Sequence, residues 1–436
     1  MQYIDRYEEY LNTAEKKFGS QKRQSGIPML GYTSNLDIVL HWDAEKFDVL
    51  LNQYLSSQPD KGSEESISSI EDFFRISAYY MMHGLGGNFD LSSMDICIFL
   101  RKHFQASLGV GGTAAQAAAA LARIGCSSLL HMTDESRELC RLLGGRRILT
   151  LKEGKKAGVE EPDTGEAPIY HFILQFRRGD KIHVLGREYI IPASNRLIFF
   201  YDRLHKKFLP KREFLEYLER EAEEISSYLV SGFDAICDPG FAKEAAKLLQ
   251  AHLRRFKEVF PKIPVYFEGA FYMNPGVKEI MIKSLAPYID IMGMNEEELR
   301  ADLKREAEAK SFREMREAIE DYMRIFNIRS LVLHTAEYSL YYGKEWKEFN
   351  IEEGLCMGNL LAAARAGYGE YAGWEECRSM LRRGFSPKAL RFAAEADAYR
   401  GEKSLYLIPS TYIEAPSCTI GLGDSFTAGM QICFIR

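Results

Sequence analysis

From Glu213 to Leu333 the chain alternates helical and strand spacing, and this alternation restricts the fold more than any single motif does. Glu213–Val230 carries helical apolar spacing and Phe233–Cys237 reads as a short buried strand. Lys243–Phe260 is helical again, with Leu248, Leu249, Leu253 and Phe256 on one side. A strand at Val265–Phe267, a helix near Val277–Leu285, a strand at Ile289–Met292, a helix from Glu296 and a strand at Ser330–Leu333 follow. Repeated β-α-β units of this kind predict a parallel sheet covered by helices on both faces. Ligands of such sheets bind beyond the carboxyl ends of the strands. Glu268, Asn295 and His334 each stand at such an end, so three polar side chains point to one edge.

A second signal lies close to the end of the sequence, in Thr419-Ile420-Gly421-Leu422-Gly423-Asp424-Ser425-Phe426-Thr427-Ala428-Gly429. Paired glycines let the backbone turn tightly and approach a ligand closely. A helix starting there aims unpaired N–H groups and its positive end at the same spot, which suits an anion. An aspartate at an anion site makes sense if a substrate hydroxyl gives Asp424 its proton while the Gly421, Leu422 and Gly423 N–H groups stabilise a transferring phosphoryl group. The plainer alternative is a glycine turn with an aspartate capping the helix.

The first half is less regular. Pro28–Leu40 reads as a strand running through Gly31-Tyr32-Thr33-Ser34-Asn35-Leu36-Asp37. If that stretch stays extended, Thr33, Asn35 and Asp37 share a side, and their amide and carboxylate groups suit sugar hydroxyls. A solvated strand end is the alternative. Ser56–Ser69 reads as a loop, and Gly109-Val110-Gly111-Gly112-Thr113 opens an alanine-rich helix through Arg123. Alternating segments at Tyr170–Phe176, Ile182–Ile191 and Leu197–Tyr201 predict antiparallel strands. These divide the chain into a large α/β domain (1–37, 111–165 and 205–436) and a small lid (38–110 and 166–204).

Lys plus Arg total 56 against 62 Asp plus Glu, a net charge of −6, which argues against nucleic acid or an anionic membrane as the main partner. Met1–Lys22 reads as a charged amphipathic helix without the apolar core of a signal peptide, and no apolar run is long enough to span a bilayer. The 8 cysteines are scattered without a Cys-x-x-Cys pair, so reduced thiols in a cytoplasmic protein are expected and a zinc site is not. Composition leaves self-association into a homo-oligomer open.

Five segments in order resemble the ADP-dependent glucokinase and phosphofructokinase family of the ribokinase-like superfamily. They are Gly31–Asp37, Gly109–Gly112, Ile263–Ala270, Ile291–Leu299 and Thr419–Asp424, with Asn195–Tyr201 and Ser330–Tyr338 also similar. The resemblance implies a ribokinase-like, doubly wound, mainly parallel sheet with a smaller β-rich lid. It also implies Mg²⁺ or another divalent cation, and transfer of the ADP β-phosphoryl group to a hexose or hexose phosphate. Asp424 matches the family's catalytic base and Gly421–Gly423 its anion hole. Asn295 and Glu298 match an Asn-x-x-Glu motif that places metal and phosphates through water; the same pair also reads as a helix capping box. Glu268 matches the acid of a His-x-Glu motif whose histidine position holds Tyr266. The implied metal set is thus Glu268, Glu298 and Asp424, through water. The nucleotide set is Asn295, His334, Thr419 and Gly423, and the sugar set is Asn35, Asp37, Gly111, Gly112, Arg177 and Arg196.

Glucose-preferring members carry a lid glutamate, and the comparable stretch His83–Asn88 has no acid. Arg177, Arg178 and Arg196 suit a sugar phosphate, so fructose 6-phosphate is favoured over glucose. Thr113 departs from the amide that often follows the family's paired glycines. An ATP-dependent ribokinase-like kinase and a non-catalytic carbohydrate or nucleotide sensor on the same fold are the competing readings.

Overall fold

The computed structural model describes residues 2–19, 24–61, 66–145, 147–159, 168–305 and 309–436. The expected core–lid boundary at 165/166, residues 20–22 of the N-terminal helix and residues 62–65 of the serine-rich loop lie outside them.

The larger of two main sheets has ten strands. Its centre runs in parallel through Leu331–His334, Ile291–Asn295, Val265–Glu268, Ile225–Val230, Ile27–Gly31, Ser128–Leu130 and Ile148–Lys152. Antiparallel strands close both edges, Tyr338–Gly343 and Ser404–Pro409 at one and Lys155–Gly158 at the other. Strands buried on both faces should read as unbroken apolar runs, and Ile-Pro-Met-Leu-Gly at Ile27–Gly31 is buried at every position. Successive side chains then feed opposite layers. Tyr228 and Val230 pack with Phe256, Met281 and Tyr322 on one side, while Leu229 packs with Leu121, Leu355 and Phe426 on the other. The helix Pro239–Val259 begins where Asp238 caps the Phe241 N–H and Pro239 supplies a preset φ.

Three expectations are corrected here. Glu213–Val230 is not one helix: the helix is Arg212–Arg220, and Ile225–Val230 is a central strand. Ile225, Tyr228, Leu229 and Val230 are all buried, and such a run fits either period until its sheet neighbours are known. Phe233–Cys237 is accordingly irregular chain beyond the strand, although Phe233 and Ile236 are core residues. Leu248 also lies off the buried face of its helix, 38% exposed, because it is rotated about 100° from Leu249.

The stretch 28–40 splits between sheets. Ile27–Gly31 belongs to the large one and Asn35–Leu40 to a six-stranded one, ordered Ser66–Ile67, Gly87–Leu91, Asn195–Tyr201, Tyr170–Phe176, Asn35–Leu40 and Ala106–Gly111. Tyr170–Phe176 and Asn195–Tyr201 pair antiparallel, and Lys181–Val184 and Arg187–Ile190 form a separate hairpin. Leu36, Ile38, Phe89, Phe172, Leu197 and Phe199 face an apolar layer with the helices Ala44–Tyr54, Ile70–His83 and Met94–His103. The alternate residues Asn35, Asp37, Asn88, Asp90, His171, Arg196, Ile198 and Phe200 face a cavity instead. Period-two alternation thus turns one face of this sheet into a binding wall.

Candidate active site

Two helices start at the centre of the site. Leu422–Gln431 is preceded by Gly421 at φ +72°, and Thr113–Arg123 by Gly112 at φ +84°. Both values favour glycine, and space adds a second requirement. A Cβ on Gly421 would come within 1.9 Å of Gln116 Oε1, and one on Gly112 within 2.5 Å of the Thr33 carbonyl oxygen. The two starts meet where the Thr113 side chain hydrogen-bonds the Asp424 carboxylate.

A cavity of about 390 Å³ lies between the sheets, lined by Asn35, Asp37, Gly112, Thr113, Gln116, His171, Arg196, Thr419, Gly421 and Asp424 among others. A second, of about 340 Å³, is lined by Asn295, His334, Ala362, Ala363, Ala366, Pro416, Leu422, Gly423 and Phe426 among others. The turn Gly421–Asp424 is therefore the partition: Gly421 and Asp424 face one cavity, Leu422 and Gly423 the other. Any group passing between the cavities passes the unpaired N–H groups of this helix start.

The polar face of the larger cavity is tightly built. Asn35 Nδ2 donates to Asp37 Oδ1 at 2.7 Å, and a Cβ on Gly111 would stand 2.1 Å from that nitrogen and 2.2 Å from that oxygen. Gly111 thus sits directly behind the pair rather than on the cavity surface. Burial raises the Asp37 carboxyl, while His171 and Asn35 pull it back down. Arg196 lines the cavity as expected. Arg177 does not: it follows the last residue of its strand and is exposed, outside the lining. Thr419 lines the larger cavity rather than the one that holds Asn295, His334 and Gly423.

Burial first, and then the Glu268 and Asp37 charges, push Asp424 up to about 6, against the lowering effects of Thr113 and His334. A carboxylate so poised is a stronger proton acceptor than an exposed aspartate and still ionised at neutral pH. At the second cavity, His334 Nε2 lies 3.0 Å from Glu268 Oε1, and the His334 ring stacks on Phe426 with centroids 4.8 Å apart. Burial works against the charged imidazole, but the hydrogen bond and charge of Glu268 outweigh it and raise His334. Glu298 is pushed up to about 7, by burial first and by Glu268 second.

Asn295 and Glu298 do form the capping box. The Glu298 N–H donates to Asn295 Oδ1 at 2.9 Å, and the Asn295 N–H donates to Glu298 Oε2 at 3.4 Å. The cap does not account for the second carboxylate: Glu268 Oε2 is buried and faces the Tyr266 hydroxyl. Tyr266, in the histidine position, brings its hydroxyl to the same place, since a Cβ on Gly293 would lie 2.2 Å from both atoms. Burial keeps that hydroxyl protonated and able to donate. Buried Glu268 and half-buried Glu298 offer carboxylate oxygens of the kind that a divalent cation takes while it retains part of its water shell. They do not form a direct cage with Asp424. Among the described residues the one close His/Cys/Asp/Glu set of three is His171, Asp202 and His205.

Several lining residues were not anticipated. Gln116 is 5% exposed and is a lone amide in an alanine-rich helix, a signal that was readable; it puts an amide one turn beyond Thr113. His171 and Asp90 needed the strand phase, and Lys206, ion-paired to Asp90, lies beyond the last lid strand. No helix among the described residues is long and apolar enough to cross a membrane.

A helix start carrying a proton-accepting carboxylate, set between a polar cavity and one that joins small apolar residues to a histidine–glutamate pair, defines a phosphotransferase with an alcohol acceptor. The conserved region described as ADP-specific phosphofructokinase/glucokinase matches residues 28–432. The chain is 24% identical to the ADP-specific phosphofructokinase of Pyrococcus abyssi, over 93% of this chain and 96% of that protein. It is 23% identical to the ADP-dependent glucose/glucosamine kinase of the same organism, over 98% and 96%. The crystal structure of a phosphofructokinase from Pyrococcus horikoshii with AMP superposes with a TM-score of 0.76 at 20% identity, covering 94% of this chain and 98% of that one. The chain belongs to the ADP-specific phosphofructokinase/glucokinase family.

Proposed function

We propose that the protein transfers the β-phosphoryl group of ADP to a hydroxyl of a hexose or hexose phosphate, leaving AMP. The observation that carries this reading is the partition: one four-residue turn lines both cavities. Asn35, Asp37 and Gly112 hold the sugar, with Gly111 supporting them from behind. Asp424 takes the proton from the attacking hydroxyl, and the Gly421–Gly423 N–H groups take up charge on the phosphoryl group in flight. Ala362, Ala363, Ala366 and Pro416 offer apolar contact to an adenine. Asn295, Glu298 and Glu268 would hold a hydrated Mg²⁺, which neutralises charge on the phosphates.

Glu298→Gln separates metal handling from helix capping, because glutamine keeps the cap. A Mg²⁺ titration of activity should shift to higher concentration with no loss of thermal stability. An unchanged Mg²⁺ titration would leave Glu298 as a cap only.

The small sheet, with segments 38–110 and 166–204, acts as the lid in this reading. A kinase must keep water from the phosphoryl group, and closing a sheet over the sugar does so while completing the site. Small-angle scattering should show compaction on adding sugar and nucleotide. Identical profiles with and without both ligands would remove the closure.

A further inference from the structure

One cluster on the cavity wall takes no part in the mechanism above. Asp202 Oδ2 lies 2.7 Å from His205 Nδ1 and 3.3 Å from His171 Nε2. Two donor atoms each about 2.0–2.2 Å from one ion stand roughly 2.8–3.6 Å apart at angles near 90–110°; the Asp202–His171 separation falls in that range and the Asp202–His205 separation just below it. The three ligand atoms all fall within 4.8 Å of one another. Their side chains are largely buried, with Asp202 and His205 at 6% and 5% exposure.

The atoms around the cluster are arranged as they are around metal ligands, where the non-coordinating atom of each ligand is held by an outer partner. Asp202 Oδ1 accepts from the Leu204 and His205 N–H groups at 3.1 and 3.0 Å, which fixes the carboxylate and leaves Oδ2 facing the histidines. His205 Nε2 lies 2.7 Å from Thr133 Oγ1, which donates in turn to the Ser34 carbonyl at 2.9 Å. His171 turns Nδ1 toward Asp37 Oδ1, 3.9 Å away. All three residues line the larger cavity, so the coordination sphere is open toward it.

From this geometry we propose that His171, Asp202 and His205 bind a transition-metal dication of the Zn²⁺ class, and that the bound ion competes with the sugar. Two imidazole nitrogens and one carboxylate suit Zn²⁺, Co²⁺ or Ni²⁺ and not a hard ion such as Mg²⁺. The site is distinct from Glu268 and Glu298, which lie toward the nucleotide side. It also differs from the cysteine-based zinc site that the cysteine spacing speaks against. Competition follows from place: a filled site engages His171 next to Asp37 and puts an ion on the wall that the acceptor uses. That second part rests on the proposed sugar-kinase reading; the binding itself does not.

The full chain, stripped with a chelator and titrated with Co²⁺, should gain visible d–d absorption that saturates at one ion per chain and disappears on adding Zn²⁺. His171→Ala and Asp202→Asn should each weaken Zn²⁺ binding by at least ~100-fold, and Thr133→Val, which removes an outer partner, by about 10-fold. Circular dichroism confirms that each variant is folded. Zn²⁺ should raise the apparent KM for sugar and leave that for ADP unchanged. The absence of a d–d band in the unmodified chain overturns the site, as does Zn²⁺ affinity unchanged in both ligand variants. A signal lost in Glu298→Gln and kept in His171→Ala also overturns it. A normal Co²⁺ titration with no phosphoryl transfer from ADP to any sugar would overturn the kinase reading and the competition, leaving the metal site standing.

Discussion

Asp424→Asn should lower turnover by at least ~100-fold, the scale of a general-base contribution, while ADP affinity stays within a small factor. Asparagine preserves shape and the start of the helix Leu422–Gln431, so the anion hole survives and only the proton acceptor is lost. The acid also sets a pH limit. With Asp424 pushed up to about 6, kcat/KM should fall as the pH drops through that value, because the protonated acid cannot accept a proton. Stability should move the other way. A carboxyl raised above its ordinary value of 3.8 favours the folded chain only while protonated, so its contribution declines as the pH rises from that value to about 6 and stays unfavourable above. Asparagine escapes this cost, so the inactive variant should melt higher at pH 7, by a free energy on the order of 2 kcal/mol. Turnover near normal in Asp424→Asn, measured with ADP and a responsive sugar, would remove Asp424 from the mechanism.

Gly111→Ala should be comparably damaging from behind the cavity surface. The added methyl would stand 2.1 Å from Asn35 Nδ2 and 2.2 Å from Asp37 Oδ1, closer than any real contact. It must displace both groups, and the paired strands Asn35–Leu40 and Ala106–Gly111 leave it little room to move instead. A misplacement near 1 Å at a positioning group costs on the order of 100-fold, so kcat/KM for the sugar should fall about that far. ADP binding, on the other side of the partition, should be unaffected. Steady-state kinetics in the sugar, with nucleotide affinity measured separately, checks both halves. An unchanged kcat/KM for sugar would mean that the Asn35–Asp37 pair does not position the acceptor.

The central sheet was legible because its strands keep a period and a hydrophobic character that chance seldom sustains. Val265–Glu268 and Ile291–Asn295 fall within one to three residues of their expected places. Ile225–Val230 was not, because an apolar run beside a helix can be taken as the helix continuing. The antiparallel edge strands Tyr338–Gly343 and Ser404–Pro409 lie outside the β-α-β rhythm that organised the reading. Among candidate site residues, those at strand ends and glycine turns were readable because backbone geometry restricts residue choice there. Asn35, Asp37, Asn295, His334, Gly421 and Asp424 all line one of the two cavities. The lid face was harder. Whether Arg177 or Arg196 reaches the cavity depends on strand phase and on where the strand ends, and Arg177 lies one residue past it. His171, Asp202 and His205 meet only through the pairing of two strands and the short helix that follows them.

The donor and its product test the account most directly. Purified protein with Mg²⁺, a panel of hexoses and hexose phosphates, and either ADP or ATP should form AMP in equal amount with phosphorylated sugar from ADP, and little product from ATP. Equal or faster transfer from ATP, with ADP as the product, would contradict the account and place the chain with ATP-dependent kinases. Transfer from neither nucleotide across the whole panel would leave the sensor reading in its place.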